Sequence, residues 1–172
     1  MKLTTRTRYA VRALIDLVNQ PDGKPNALHE IAQRQGVKLR YLEQIFLKLR
    51  RARLIASKKG PGGGYFVNRS PKSIRLSEIM RAVGESTAPV FCVAENHQKE
   101  CIRMQFCPAR PYWRKLKQVI DNFFNAVTLD DMSKIYEREK SESKKDIFDK
   151  IGTASSTKTC DKGKKGTSDN VE

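Results

Sequence analysis

Residues 28–53 read LHEIAQRQGVKLRYLEQIFLKLRRAR, and the spacing of their apolar positions decides the fold. The stretch predicts a short helix from Leu28 to Gln35, stopped by Gly36, a residue suited to the left-handed backbone that closes a helix. Val37 and Lys38 form the turn, and a second helix runs from Leu39 to Arg53. Two helices joined by a tight glycine turn make a helix-turn-helix. Leu39, Leu42, Ile45, Phe46 and Leu49 line the side of the second helix that docks onto its neighbours. Arg40, Gln44, Lys48 and Arg51 line another, with Tyr41 and Glu43 beside them near the N-terminal end.

That second face has the chemistry of a base reader. Recognition helices contact base edges with their N-terminal residues, while later basic residues hold phosphates. Arg40 suits guanine and Gln44 adenine; Glu43 accepts from a cytosine amine or repels wrong sequences. An ordinary charged helix surface would carry the same stripe, but its place after a glycine turn favours DNA. Leu28, at the start of the first helix of the pair, joins these residues as a contact candidate.

Working outward, Thr4 or Thr5 caps an earlier helix on which Ala10, Ala13, Leu14, Leu17 and Val18 recur at three and four. Arg8, Arg12 and Asp16 fall on its opposite face. Residues 21–26, PDGKPN, are a turn by composition. After the second helix, two short β-prone runs, 54–59 and 65–67, flank the glycine-rich residues 60–64 and predict a hairpin. A hairpin there is a wing, which sets Lys58, Lys59 and the amides of Gly60 and Gly62, with Pro61 between them, against a sugar-phosphate backbone. The glycines do not form a nucleotide loop, because Tyr65-Phe66 stands where a P-loop needs Lys-Ser/Thr.

Charge supports a polyanionic partner. The 172 residues carry 34 Lys and Arg against 19 Asp and Glu, a formal net charge of +15. Residues 1–60 hold 14 basic and 4 acidic side chains, so two-thirds of the surplus lies in the first third of the chain. Lysines and arginines that neutralise phosphates release counterions, and such clustering is the footprint of a nucleic-acid binder. No apolar run approaches bilayer-spanning length, and no secretory signal follows the N-terminus, so a cytoplasmic location is expected.

Four cysteines in such a chain point to thiolate or metal chemistry rather than disulfides. Cys92, Cys101 and Cys107 are spaced C-x8-C-x5-C in a loop-like stretch. Thiolates suit zinc or iron–sulfur iron, and the absence of C-x2-C knuckles disfavours zinc. No ordered Cys-His-Asp/Asn set accompanies them, so a cysteine-nucleophile enzyme is not expected. Beyond them, Pro111 opens a helix on which Trp113, Leu116, Ile120, Phe123 and Val127 form a short heptad seam, read as a dimerisation surface or else a core face. From Ser141 the polar composition predicts a disordered tail, in which Cys160 lies alone.

These stretches together resemble the IscR-like family of iron–sulfur cluster regulators of bacterial transcription, which includes NsrR and RirA. The resemblance spans residues 1 to about 135 and rests on residues 1–5 (MKLTT), Arg8-Tyr9-Ala10, Leu39 to Gln44, residues 60–65 (GPGGGY), Leu76-Ser77-Glu78-Ile79 with Ala82-Val83, and the three cysteines. It implies a mainly α fold: a winged helix-turn-helix with a small β-hairpin wing in residues 1–84, a cluster-binding loop in 85–110, a long dimerisation helix and a short helix in 111–140, and the tail in 141–172. It implies a homodimer that represses or activates transcription at double-stranded promoter DNA, with no membrane or small-molecule substrate, and that senses iron–sulfur status, iron or nitric oxide. Its cofactor would be a cluster on Cys92, Cys101 and Cys107, [2Fe–2S] in preference to [4Fe–4S]. Family members with a [2Fe–2S] cluster place a histidine three residues after the third cysteine, where this chain has Arg110. His97, Glu95, Glu100, an exogenous thiol or a partner-subunit residue are the replacements. A regulator of the same family using bare thiols, or zinc, is the alternative.

Overall fold

Local sequence and long-range packing combine here around one helix. The structure, a computed structural model, describes residues 3–20, 24–95 and 101–154, with side chains to residue 142. Helix α1 (Thr5–Val18) buries Ala10, Ala13, Leu14 and Leu17, the stripe its spacing predicts, together with Thr7. Helix α2 (Leu28–Gln35) ends at Gly36, whose φ of 63° lets its N–H and that of Val37 bond back to Gln33 and Ala32. Helix α3 (Leu39–Arg51) buries Leu42, Ile45, Phe46 and Leu49.

Two details of α3 differ from the sequence reading. Leu39 is 42% exposed, because it opens the helix ahead of the turn that meets the core. The helix also stops at Arg51 rather than Arg53. Arg53 adopts a left-handed φ of 57°, and the Arg53 and Leu54 amides bond to the Arg50 and Leu49 carbonyls, closing the helix.

Strand β1 (Ile55–Lys58) pairs antiparallel with β2 (Gly64–Val67), and Lys58 faces Gly64 across the predicted turn. The turn at residues 21–26 supplies a further bridge. Asn26 and Tyr65 exchange N–H···O bonds of 2.9 and 2.8 Å, so the wing is anchored to the segment before α2. Helix α4 (Leu76–Val83) buries Ile79, Met80 and Val83, and the shared core of α1–α4 and the wing includes Leu54, Ile74 and Leu129. The fold is a winged helix-turn-helix: six helices with one two-stranded hairpin among the described residues.

Helix α5 (Arg110–Ala126) buries only Phe124. Trp113, Leu116 and Phe123 of the predicted seam are 37, 41 and 61% exposed; Ile120 is half-buried, and Val127 falls just past the helix end. Helix α6 spans Leu129–Ala154, so the disorder expected from Ser141 is corrected as far as Ala154. Residues 141–151 contain neither proline nor glycine and consist mainly of helix-compatible residues, so nothing local stops the helix. Residues Met1–Tyr136 form one unit and Glu137–Glu172 a second. Cys160 lies outside the described residues.

Candidate nucleic-acid interface and cysteine segment

Because α3 docks through its apolar stripe, its other face is left to solvent. Arg40, Glu43, Gln44 and Arg51 are exposed, as are Lys58, Lys59, Gly60, Pro61 and Gly62 on the wing. Three candidates are engaged by the fold itself. The Lys48 ammonium donates to the Val83 carbonyl at 3.2 Å, tying α3 to the end of α4. Tyr41 is half-buried, edge-on to Tyr9 with ring centroids 6.0 Å apart. Leu28 packs against the core.

Part of the N-terminal basic surplus is likewise structural. Arg34 grips both oxygens of Asp16 at 2.7–3.2 Å, and Arg12 donates to the Gln35 side chain and carbonyl, so α1 is fastened to α2. The Arg6 guanidinium donates to the Val83 carbonyl at 3.2 Å. Exposed cations on α3 and the wing include Arg40, Arg50, Arg51, Lys58 and Lys59.

The start of α1 is held in a way its local sequence does not announce. Thr4 sits at the cap position but makes no side-chain cap bond. Its N–H and hydroxyl, with the Thr7 hydroxyl, instead donate to one oxygen of Glu85 at 3.1, 2.5 and 2.8 Å. A carboxylate just past α4 thus supplies the anion that a helix N-terminus favours. Burial pushes the Glu85 carboxyl up, but the Thr4 and Thr7 hydroxyls, the Thr4 amide and the Arg6 charge outweigh it and hold the group below the usual carboxylate range. A lowered carboxyl contributes stability that is complete at neutral pH and is lost as pH falls through the ordinary carboxylate range to the lowered value. Glu85→Gln is therefore expected to lower stability at pH 7 by about 1 kcal/mol, read as a lower urea midpoint, and the gap from the unsubstituted chain should close as pH falls through the carboxylate range to the lowered value.

The three cysteines lie on the segment that joins α4 to α5. Cys92 is in the short 3-10 turn Phe91–Val93; Cys101 and Cys107 begin successive turns, their carbonyls accepting from Met104 at 2.8 Å and Arg110 at 3.2 Å. All three are free and half-buried. Among the described residues no three His, Cys, Asp or Glu side chains stand together as a metal would require. His97 and Glu100 lie outside the described residues, and the exposed Glu95 carboxylate is 3.6 Å from the Lys117 ammonium. The donor chemistry nonetheless suits a soft metal: three accessible thiols on one short segment. Arg110, which opens α5, is a different kind of group. Its Nε–H is buried and has no acceptor among the described residues.

A cleft of about 410 Å³ lies beside this segment between α4 and α5, lined by Met80, Arg81, Glu85, Glu95, Lys117 and Asp121 among others. Lys117 donates to Asp121 at 2.6 Å, and that bond raises its pKa. Thr87 donates to the other Asp121 oxygen at 2.5 Å, pinning the start of the cysteine segment to α5. At the far end of α5, Leu76 N–H bonds the Val127 carbonyl and Ser77 donates to Asn125. Sequence periodicity carries no signal for these cross-links, which join residues 34 to 51 positions apart.

The Rrf2 model, described as an iron-dependent transcriptional regulator, matches residues 3–135. A putative HTH-type transcriptional regulator, ORF2, of Azotobacter vinelandii is 39% identical over 132 residues, covering 77% of this chain and 79% of that protein. The HTH-type transcriptional regulator IscR of Vibrio campbellii is 38% identical over 147 residues, 86% of each. Among solved structures, T. potens IscR superposes with a TM-score of 0.64 at 32% identity, over 81% of this chain and 90% of that one. CymR (YrzC), the global cysteine regulator of B. subtilis, superposes with a TM-score of 0.63 at 27% identity, over 78% and 98%. No helix among the described residues is long and apolar enough to cross a membrane.

Proposed function

Because the chain belongs to the Rrf2 family of transcriptional regulators, we propose that it binds promoter DNA as a homodimer under the control of an iron–sulfur cluster held by Cys92, Cys101 and Cys107. The chain is a regulator of the IscR-like kind and not an enzyme. The observation that carries the cluster reading is the placement of three free, half-buried thiols on the one segment joining the winged module to α5.

The reading assigns each surface a task. Arg40 and Gln44 address guanine and adenine edges, with Glu43 selecting against mismatched bases. Arg51, Lys58 and Lys59 hold phosphates, helped by the amides of the wing turn. Tyr112, Trp113, Leu116, Val119 and Phe123 leave α5 with an apolar face of 37–69% exposure, and a second copy of α5 covers it. Two recognition helices about a two-fold axis then read a palindromic site. Bound to the three thiolates, the cluster supplies an inorganic centre sensitive to redox state and nitric oxide. Thiolate ligation constrains the segment whose ends Thr87–Asp121 and α5 already fix, so occupancy biases how α5 sits on α4 and hence the spacing of the half-sites.

Anaerobic, reconstituted protein is expected to be coloured, to contain iron and acid-labile sulfide, and to sediment at twice the chain mass. Cys92→Ala, Cys101→Ala and Cys107→Ala should each bleach the visible absorbance. Full occupancy in any one of them removes that residue from the ligand set, and a colourless protein holding zinc or bare thiols returns the chain to the alternative. For DNA, Arg40→Ala is expected to cost about 1–3 kcal/mol on the cognate site and relax choice at one base. Lys59→Ala should weaken all duplexes alike and reduce the salt slope by about 1. Equal losses on cognate and random DNA from Arg40→Ala would remove its base-reading role.

A further inference from the structure

Arg110 stands where the resemblance places a ligand, yet a guanidinium is always protonated and has no lone pair to give iron. The side chain also presents an unpaid obligation: its Nε–H is buried and lacks an acceptor among the described residues. The side chain is only half-buried, but a buried N–H without an acceptor is unfavourable, and an anionic acceptor suits a guanidinium best. The environment points the same way. Arg110 opens a helix of 17 residues with no acidic side chain in its first turn, and Arg114 and Lys115 follow within it. Its backbone N–H already bonds the carbonyl of Cys107 at 3.2 Å, which places the residue one turn from a candidate thiolate.

We propose that Arg110 would serve as a hydrogen-bond donor to the thiolate-held cluster through its buried Nε–H. The inference rests on the cluster reading above. A cluster bound by three thiolates carries net negative charge, and one-electron reduction deepens it. A cationic donor stabilises the reduced form more than the oxidised form and so raises the reduction potential. Arg110 is thus a positioning and tuning residue. It also leaves one iron coordination position to be filled by something other than residue 110.

The test compares full-length, anaerobically reconstituted protein with R110Q and R110K, in a mediator titration with dithionite. All three are expected to hold the same iron and sulfide per chain, because no ligand has been removed. R110Q should need a more negative poise for half-reduction, displaced by a tenfold or greater change in the oxidised-to-reduced ratio, about 59 mV for one electron. R110K, which keeps the charge but loses the planar donor, should fall between. In 15N-arginine-labelled protein the reduced cluster should show a weak 15N coupling that R110Q abolishes. An unchanged potential in R110Q at full occupancy overturns the proposal and leaves the cluster reading intact. Loss of iron from both variants, with no 15N coupling in the unsubstituted chain, also overturns it. Absence of iron and sulfide from the unsubstituted chain removes the cluster reading itself, and the proposal with it.

Discussion

Phe46→Ala is expected to destabilise the winged module by about 3–5 kcal/mol, a large part of the roughly 5–15 kcal/mol that holds an ordinary domain together. Phe46 is fully buried on α3, among the largest side chains of the core. Its ring meets Tyr65 of β2 edge-on, with centroids 4.9 Å apart and planes at 83°. Truncation removes the apolar contact, leaves a cavity that helices on several sides resist closing, and releases the ring pair that couples α3 to the wing. Urea unfolding followed by circular dichroism measures the loss. Phe46→Leu should cost less than half as much, since most of the volume remains. If Phe46→Ala shifted stability by under 1 kcal/mol, the packing between α3 and the wing described here would be incorrect.

Gly64→Ala is expected to cost about 3 kcal/mol and to weaken binding to every duplex alike. A Cβ at Gly64 would lie 2.3 Å from the Asn26 carbonyl oxygen and 2.4 Å from its carbon. Those atoms are backbone, fixed by the paired Asn26–Tyr65 bonds, so they cannot turn aside as a flexible side chain does. The φ of 154° adds a conformation that residues with a Cβ rarely adopt. Relief requires breaking the bridge, which frees the wing from the segment before α2 and lets Lys58 and Lys59 drift from the duplex. Thermal unfolding together with fluorescence anisotropy on cognate and random DNA checks both halves. A variant as stable as the unsubstituted chain would show that the bridge does not constrain the wing.

Both cases show which parts of the molecule were legible beforehand. Phe46 belongs to a stripe at helical spacing, and that spacing is enough to call it buried. Gly64 belongs to a glycine run whose hairpin role is readable, but the neighbour that demands glycine, Asn26, is 38 positions away in a stretch that reads only as a turn. Thr4 was legible as a helix start, whereas the acceptor of its donors, Glu85, is 81 positions distant. Lys48 has the spacing of a phosphate contact, and only packing reveals its bond to the end of α4.

By itself, the amino-acid order determined helices α1 to α5, the glycine stop at Gly36, the hairpin, the basic N-terminal third and the three-cysteine segment. Each is set by interactions among residues a few positions apart or by plain composition. Tertiary structure alone decided which cations remain exposed, what anchors the wing, that α5 turns most of its apolar face outward, and that the Arg110 Nε–H is buried without an acceptor among the described residues. Those outcomes depend on which distant segments meet, and a linear pattern of spacing carries no record of such meetings.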